Sequence, residues 1–195
     1  MNNEIEYYVS GTGSQSINDT IQPTKPEFAF DQIDKNYDWC SDCGQYPDEH
    51  PYIVFSIKDK FIHFNGYMIR AGCCADKGCC CRYKGFHCCE CCIYSWSLQI
   101  SDNKRKWKTI HQVKKDNELV YCKEKIYKFS ETYVTKYIRM IQDENCPGDP
   151  PCMGLNKIEF FGKYVRDPIR MYEISLEELE DKDEDEVSII GRVHN

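Results

Sequence analysis

The sequence predicts an all-β protein, built as one antiparallel β-sandwich of about eight short strands. Short runs of residues alternate between apolar and polar side chains, which is the period of a strand with one buried face. Gly, Pro, Asn and Asp separate these runs, and no apolar stripe with helical spacing has a convincing length. The 195 residues are enough for one core and too few for two full domains with linkers.

The clearest predicted strand is Tyr94–Ser101, in which Trp96, Leu98 and Ile100 face one side of the sheet. Cys122 stands alone in another strand-like run and is predicted to be a small core residue. The remaining predicted strands are Tyr52–Ile57, Gly66–Arg70, Trp107–Val113, Leu119–Cys122, Lys125–Phe129, Lys136–Gln142 and Lys157–Phe161.

Changes in composition divide the chain into three parts. Residues 1–27 form a polar lead-in, residues 28–165 carry the alternating runs, and residues 166–195 form an acidic tail. Four residues between the last two predicted strands, Pro147, Gly148, Pro150 and Pro151, predict a long surface loop, because proline lacks an amide hydrogen. The tail contains ten acidic and four basic residues, a composition that usually stays solvated.

The distribution of charge limits the partners that the sequence predicts. The formal net charge is −7, and most of it comes from the tail, so the rest of the chain is close to neutral. No positive field would attract phosphates, and nucleic acid is therefore not expected as a partner.

The sequence also predicts where the protein is found. The N-terminal residues lack the apolar run of a secretory signal, and no apolar stretch approaches about 18 residues. These features predict a cytoplasmic protein with mostly reduced thiols.

Six short segments occur in the order and spacing of a known domain. The segments are Phe28–Asp31 with Trp39, Tyr52–Phe55 with Gly66–Arg70, Ser95–Ser101, Trp107–Ile110, Tyr137–Arg139 and Ile158–Gly162. In this order they resemble the coagulation factor V/VIII type C domain, also called the discoidin domain. The chain looks most like intracellular members of that family found in protists.

The resemblance implies a jelly-roll β-sandwich of the galactose-binding-domain-like type. In this family, loops at one end of the sandwich bind glycans, lipid headgroups or protein surfaces, while Trp96 and Trp107 match core positions. No cysteine lies near residues 28 and 165 to form the disulfide that joins the ends of secreted members. The loops also lack the exposed apolar residues of membrane-binding members. A glycan or protein partner is therefore expected, and membrane binding is not.

A cysteine-rich loop, residues 73–92, interrupts the predicted strands and contains nine cysteines. Thiolates bind soft ions such as zinc, whereas free thiols at this density would oxidise or cross-link, so the loop predicts a metal site. A disulfide-linked loop and reduced cysteines without a role remain open alternatives. The C-x-x-C pair at 40 and 43 is expected at the same end. The predicted metal ligands are Cys73, Cys74, Cys79, Cys80, Cys81, Cys88, Cys89, Cys91, Cys92, Cys40, Cys43 and His87.

The sequence contains no recognisable catalytic motif. None of the five histidines lies in a nucleophile or metalloprotease motif, and no Gly-rich phosphate loop is present. The sequence therefore predicts a non-catalytic binding module for a glycan or protein, with ligand contacts from Trp39, Arg70, Tyr83 and Phe86. Two alternatives remain: a metal-buffering or metal-sensing protein, and a structural adaptor whose acidic tail recruits another protein.

Overall fold

A computed structural model describes residues 5–17, 20–31, 34–74, 79–80 and 92–166, with the backbone alone for Ile17, Cys79 and Cys80. It confirms the predicted antiparallel β-sandwich. Within these residues, no helix is long and apolar enough to cross a membrane.

The described chain contains twelve strands and one short 3-10 helix, Pro26–Phe30. The strands are β1 Ile5–Val9, β2 Ser14–Ile17, β3 Thr20–Pro23, β4 Trp39–Cys40, β5 Tyr52–Ile57, β6 Phe61–Ala71, β7 Cys79–Cys80, β8 Ser95–Ser101, β9 Lys108–Val113, β10 Glu124–Thr135, β11 Tyr137–Glu144 and β12 Gly154–Val165.

Two sheets form the sandwich, and every strand pair in them is antiparallel. The five-stranded sheet has the order β1-β5-β11-β8-β9, and the four-stranded sheet has the order β10-β6-β12-β4. A small third sheet joins β3, β2 and β7. The predicted lead-in therefore contributes a paired strand, because β1 forms an edge of the larger sheet.

Alternation along the strands places large side chains between the two sheets. Trp96, Tyr67 and Phe160 are buried there, together with the rest of an aromatic-rich cluster. Trp96 Nε1 donates a hydrogen bond to the Tyr67 hydroxyl at 3.1 Å, and this hydroxyl lies 2.8 Å from His111 Nδ1. A series of hydrogen-bonded side chains therefore runs through the core from Trp96 to His111, and it reaches the surface at β9.

Two sequence predictions about individual positions are corrected by the fold. Leu119–Cys122 is a loop and turn, since Tyr121 and Cys122 both have positive φ angles, 45° and 60°, which no strand allows. Trp107 is only half-buried, because it precedes β9 and lies on the outer face of the larger sheet beneath Arg139.

The pairing registers show which loops share an end of the sandwich. The last residues of β6 lie opposite the first residues of β10 and β12, and the last residues of β11 lie beside the first of β5 and β8. The connections 41–51, 114–123 and 145–153 therefore meet at one end, together with the two described ends of the 72–94 connection, residues 72–74 and 92–94. We call this end the disulfide end. The opposite end carries the 58–60 turn, the 102–107 loop, Lys136 and Arg166, and we call it the basic end.

Candidate functional site

Backbone hydrogen bonds hold the loops of the disulfide end against each other. The amide of Gly44 donates to the Pro151 carbonyl at 2.7 Å, which joins the 41–51 and 145–153 loops. The two ends of the cysteine-rich loop pair with the 114–123 loop, through Ile93 N to Leu119 O at 3.0 Å and Cys122 N to Gly72 O at 2.8 Å. The loops therefore form one surface that is fixed by its own backbone.

Two disulfides cross-link the same loops. Cys74, at the start of the cysteine-rich loop, is bonded to Cys122, and their Cα atoms are 4.6 Å apart. Cys92, at the end of that loop, is bonded to Cys146, and their Cα atoms are 6.2 Å apart. Each bridge joins the cysteine-rich loop to a neighbour that lies about fifty residues further along the chain.

The other four cysteines with described side chains, Cys40, Cys43, Cys73 and Cys152, are also disulfide-bonded. Cys40 packs against Cys73, and Cys43 packs against Cys152. The predicted clustering of cysteines at one end of the sandwich is thus confirmed for the described residues, with the sulfur atoms oxidised.

The oxidised state corrects part of the metal prediction. Cys40, Cys43, Cys73, Cys74 and Cys92 are not free thiolates, because a disulfide sulfur has no proton to lose and is not a zinc ligand of the predicted kind. Among the described residues, no group of three His, Cys, Asp or Glu side chains forms a metal site. The remaining predicted ligands, Cys79, Cys80, Cys81, His87, Cys88, Cys89 and Cys91, have side chains outside the described residues, so zinc binding there stays a prediction.

The predicted ligand-binding residues have different positions. Trp39 is fully buried in the core beside Leu155, so its ring has no surface for a ligand, and its predicted role is corrected to a structural one. Arg70 lies at the disulfide end, where its guanidinium donates to Asp34 at 3.0 Å and to Glu124 at 2.8 Å. Tyr83 and Phe86 lie outside the described residues.

A buried carboxylate ties the base of the disulfide end together. Asp38 accepts hydrogen bonds from the Gln15 amide at 2.8 Å, the Cys73 backbone amide at 2.8 Å and the Asn156 amide at 2.9 Å. Burial raises the pKa of Asp38, and these three donors oppose that rise. Nearby, burial lowers the pKa of Lys35 to about 8. The side chain of Asp38 thus joins three separate segments at the loop bases.

An open cleft of about 410 Å³ lies between the 114–123 and 145–153 loops. Tyr94, Val120 and Pro147 give it apolar surface, and Asn117 and Asp149 give it polar groups. Its remaining lining is Cys92, Asp116, Cys146 and Gly148. The Cys92–Cys146 bridge therefore forms part of the cleft wall.

A strained turn places a tyrosine beside a second cleft, of about 680 Å³. Tyr121 is half-exposed, at 50%, and it adopts a left-handed conformation that is unfavourable for a residue with a Cβ. The Lys123 amide donates to the Val120 carbonyl at 3.1 Å across the turn, and the Cys74 bridge holds Cys122 in place. Cys122 and Arg70 line this cleft. No sequence signal indicated Tyr121, because its neighbours have the alternation of a strand.

Neither the comparison with protein-family models nor the search of curated proteins finds a match for this sequence. Solved structures do match it. The CBM32-5 module from Clostridium perfringens, in complex with GalNAc-β-1,3-galactose, gives a TM-score of 0.55 at 13% identity and covers 80% of this chain and 94% of that chain. Chitosan-binding module 1 from the chitosanase/glucanase of Paenibacillus sp. IK-5 gives 0.54 at 14% identity, covering 82% and 96%.

An F5/8 type C domain from Bacteroides fragilis gives a TM-score of 0.51 at 11% identity and covers 80% of this chain and 89% of that chain. In each case the likeness spans most of both chains, so it concerns the whole sandwich. The chain therefore has the galactose-binding-like β-sandwich fold that F5/8 type C domains and CBM32 modules share.

Proposed function

We propose that this chain is a non-catalytic glycan-binding module whose ligand site is the disulfide end. The observation that carries the proposal is that two disulfides link three loops, and a backbone hydrogen bond from Gly44 to Pro151 adds the fourth, to form one surface with an open cleft. Rigid loops on a β-scaffold favour binding, since little conformational entropy is lost when the ligand is held. Of two proteins of the same fold, one was solved in complex with GalNAc-β-1,3-galactose and the other is named a chitosan-binding module.

The lining of the 410 Å³ cleft suits a sugar ring. Tyr94 offers an aromatic ring against which the C–H face of a sugar packs, and its own backbone carbonyl accepts from the Asp116 amide at 2.7 Å. Asn117 is exposed and has both a donor and an acceptor for sugar hydroxyls. Asp116 has a supporting role, because its carboxylate already binds Lys125 at 2.7 Å and two backbone amides.

The disulfides bear on the compartment in which the module works. The predicted cytoplasmic location assumed reduced thiols, whereas all eight described cysteine side chains are in disulfides. We infer an oxidising compartment as the place of function, since glutathione and thioredoxin keep cytosolic thiols reduced. Thiol counting on the protein isolated under non-reducing conditions tests this, and eight or more reactive thiols would contradict it.

Glycan binding is tested directly by titrating the protein with GalNAc-β-1,3-galactose and with chitooligosaccharides. We expect one of these probes to bind, and Tyr94→Ala to weaken it at least about tenfold, equivalent to 1.4 kcal/mol. The matched control is Tyr8→Ala, which removes a half-exposed tyrosine from β1, outside the disulfide end. The proposal fails if neither probe binds, or if Tyr8→Ala weakens binding as much as Tyr94→Ala does.

A further inference from the structure

Positive charge is concentrated at the basic end, and the overall composition of the chain does not indicate this concentration. Outside the acidic tail the chain is close to neutral, yet seven basic residues meet three acidic ones at this end. The basic residues are Lys58, Lys60, Lys104, Arg105, Lys106, Lys136 and Arg166, and the acidic residues are Glu6, Asp59 and Asp102.

Four of the basic residues and two of the acidic ones line a common groove. Lys58, Lys60, Lys136 and Arg166, with Glu6 and Asp59, line this open groove of about 390 Å³. Neighbouring contacts bring the 102–107 loop beside it. The Lys104 ammonium lies 3.8 Å from the centre of the Tyr8 ring and 4.9 Å from that of Tyr137, a groove residue.

Aromatic rings support the cations of the groove. The Lys136 ammonium lies 4.9 Å from the centre of the Phe61 ring, and the Lys60 ammonium lies 4.1 Å from that of Tyr164. Such contacts hold the stems of the lysines against apolar surface while the charged ends stay in contact with water. Phe61 and Tyr137 also line the groove, so its walls accept both carboxylates and apolar side chains.

The acidic tail starts in this groove. Val165 pairs with Phe61 at the end of β12, and the next residue, Arg166, lines the groove itself. The segment 173–186 contains nine acidic residues and one lysine, and it also contains Ile174, Leu176 and Leu179. The seven residue steps from Arg166 to Glu173 span at most about 24 Å. A short linker therefore joins the basic groove to the acidic segment.

We propose that the acidic segment 173–186 of this same chain binds the groove of the basic end. Charge complementarity provides the attraction, and the short linker gives the segment a local concentration on the order of millimolar, which no free partner matches easily. The segment thereby covers the end of the sandwich that faces away from the disulfide end, and the positive field of the groove is neutralised within the molecule.

The test is zero-length carbodiimide cross-linking of the full chain, which joins carboxylates to lysine amines in direct contact. Mass spectrometry of the monomer fraction should find tail carboxylates linked to Lys58, Lys60 or Lys136. Lys114, Lys115 and Lys123 at the disulfide end serve as internal controls and should remain unlinked to the tail. Repeating the reaction in about 0.5 M salt, where screening is strong, should remove most of the links.

Two variants complete the test. Lys58→Glu with Lys136→Glu reverses charge at two exposed positions and should abolish the links to Lys60, whose amine is retained. The tail variant Glu177→Gln, Glu178→Gln and Glu180→Gln leaves the sandwich untouched and should elute from heparin resin at higher salt than the wild type, because the groove is uncovered. The proposal is overturned if links spread evenly over all lysines, if they appear only in dimers, or if both chains elute from heparin at the same salt concentration.

Discussion

The disulfide between Cys74 and Cys122 joins the start of the cysteine-rich loop to a turn that lies 48 residues later in the sequence. The backbone reinforces this link, because the amide of Cys122 donates to the carbonyl of Gly72 at 2.8 Å. The geometry of the disulfide end therefore depends on the oxidation state of its sulfur atoms, and this dependence leads to the first prediction.

The double variant Cys74→Ser, Cys122→Ser should lower the free energy of unfolding by roughly 2–4 kcal/mol, because the unfolded chain loses a long closed loop. Urea denaturation followed by tryptophan fluorescence measures the change. The wild type treated with reductant should lose more, since its other disulfides open as well. Coincident urea transitions for the double variant and the wild type would show that this bridge does not form.

The left-handed backbone at Tyr121 should make glycine the more stable residue at this position. Tyr121→Gly relieves the left-handed strain at φ 45°, so the free energy of unfolding should stay the same or rise by up to about 1 kcal/mol. Tyr121→Ala is the matched control, because it removes the ring and keeps the strain. A Gly variant less stable than the Ala variant would contradict this reasoning.

Asp38→Asn should destabilise the protein, although the two side chains have the same shape. The Gln15, Cys73 and Asn156 groups that bind the Asp38 carboxylate are all donors, so an amide group placed there turns one of its own N–H groups toward another donor. We expect a loss of about 2 kcal/mol in the free energy of unfolding, as for a buried unsatisfied group. Asn36→Asp is the exposed control and should change stability little. Thermal and urea unfolding of both variants measure the difference.

His111 should make stability depend on pH. Burial lowers the pKa of His111 below its ordinary value of 6.5, so the unfolded state binds the proton more tightly. The contribution to stability is present above pH 6.5 and is lost as the pH falls from there through the folded-state pKa. Burial also lowers the pKa of His63, so its contribution to stability changes with pH in the same direction.

The measurement is urea unfolding at several pH values between about 5 and 8. His111→Gln should reduce the slope of the unfolding free energy against pH. His63→Gln provides the comparison, because His63 is a second histidine whose pKa is lowered by burial. An unchanged slope in the His111 variant would mean that burial of the His111 ring does not distinguish its two protonation states.

Alternation of side chains was the part of the sequence that predicted structure most directly. The predicted strand Tyr94–Ser101 is observed as Ser95–Ser101, and Tyr52–Ile57 is observed with the same bounds. Trp96 and Leu98 are fully buried, as the period of two requires. Half-buried strands place one apolar residue in every two positions, and this signal does not depend on any distant residue.

Features that depend on distant contacts did not follow from the sequence. Whether Cys74 meets Cys122, a metal ion or solvent depends on how the 72–94 and 114–123 loops approach each other, and cysteine spacing does not contain that information. Tyr121 has strand-like neighbours, yet the bridge at Cys122 and the hydrogen bond across the turn select a left-handed backbone. Trp39 was predicted as a ligand contact, yet it is buried in the core, because the two residues of β4 pair with β12.

The first strand starts and the last strand ends at the basic end, since Ile5 pairs with Ile57 and Val165 pairs with Phe61. Any tether attached before β1 or after β12 thus approaches the sandwich from the pole remote from the loops. A fused neighbour, an affinity tag or a solid support joined at either position would leave the cleft beside Tyr94 pointing outward, toward whatever lies in front of it.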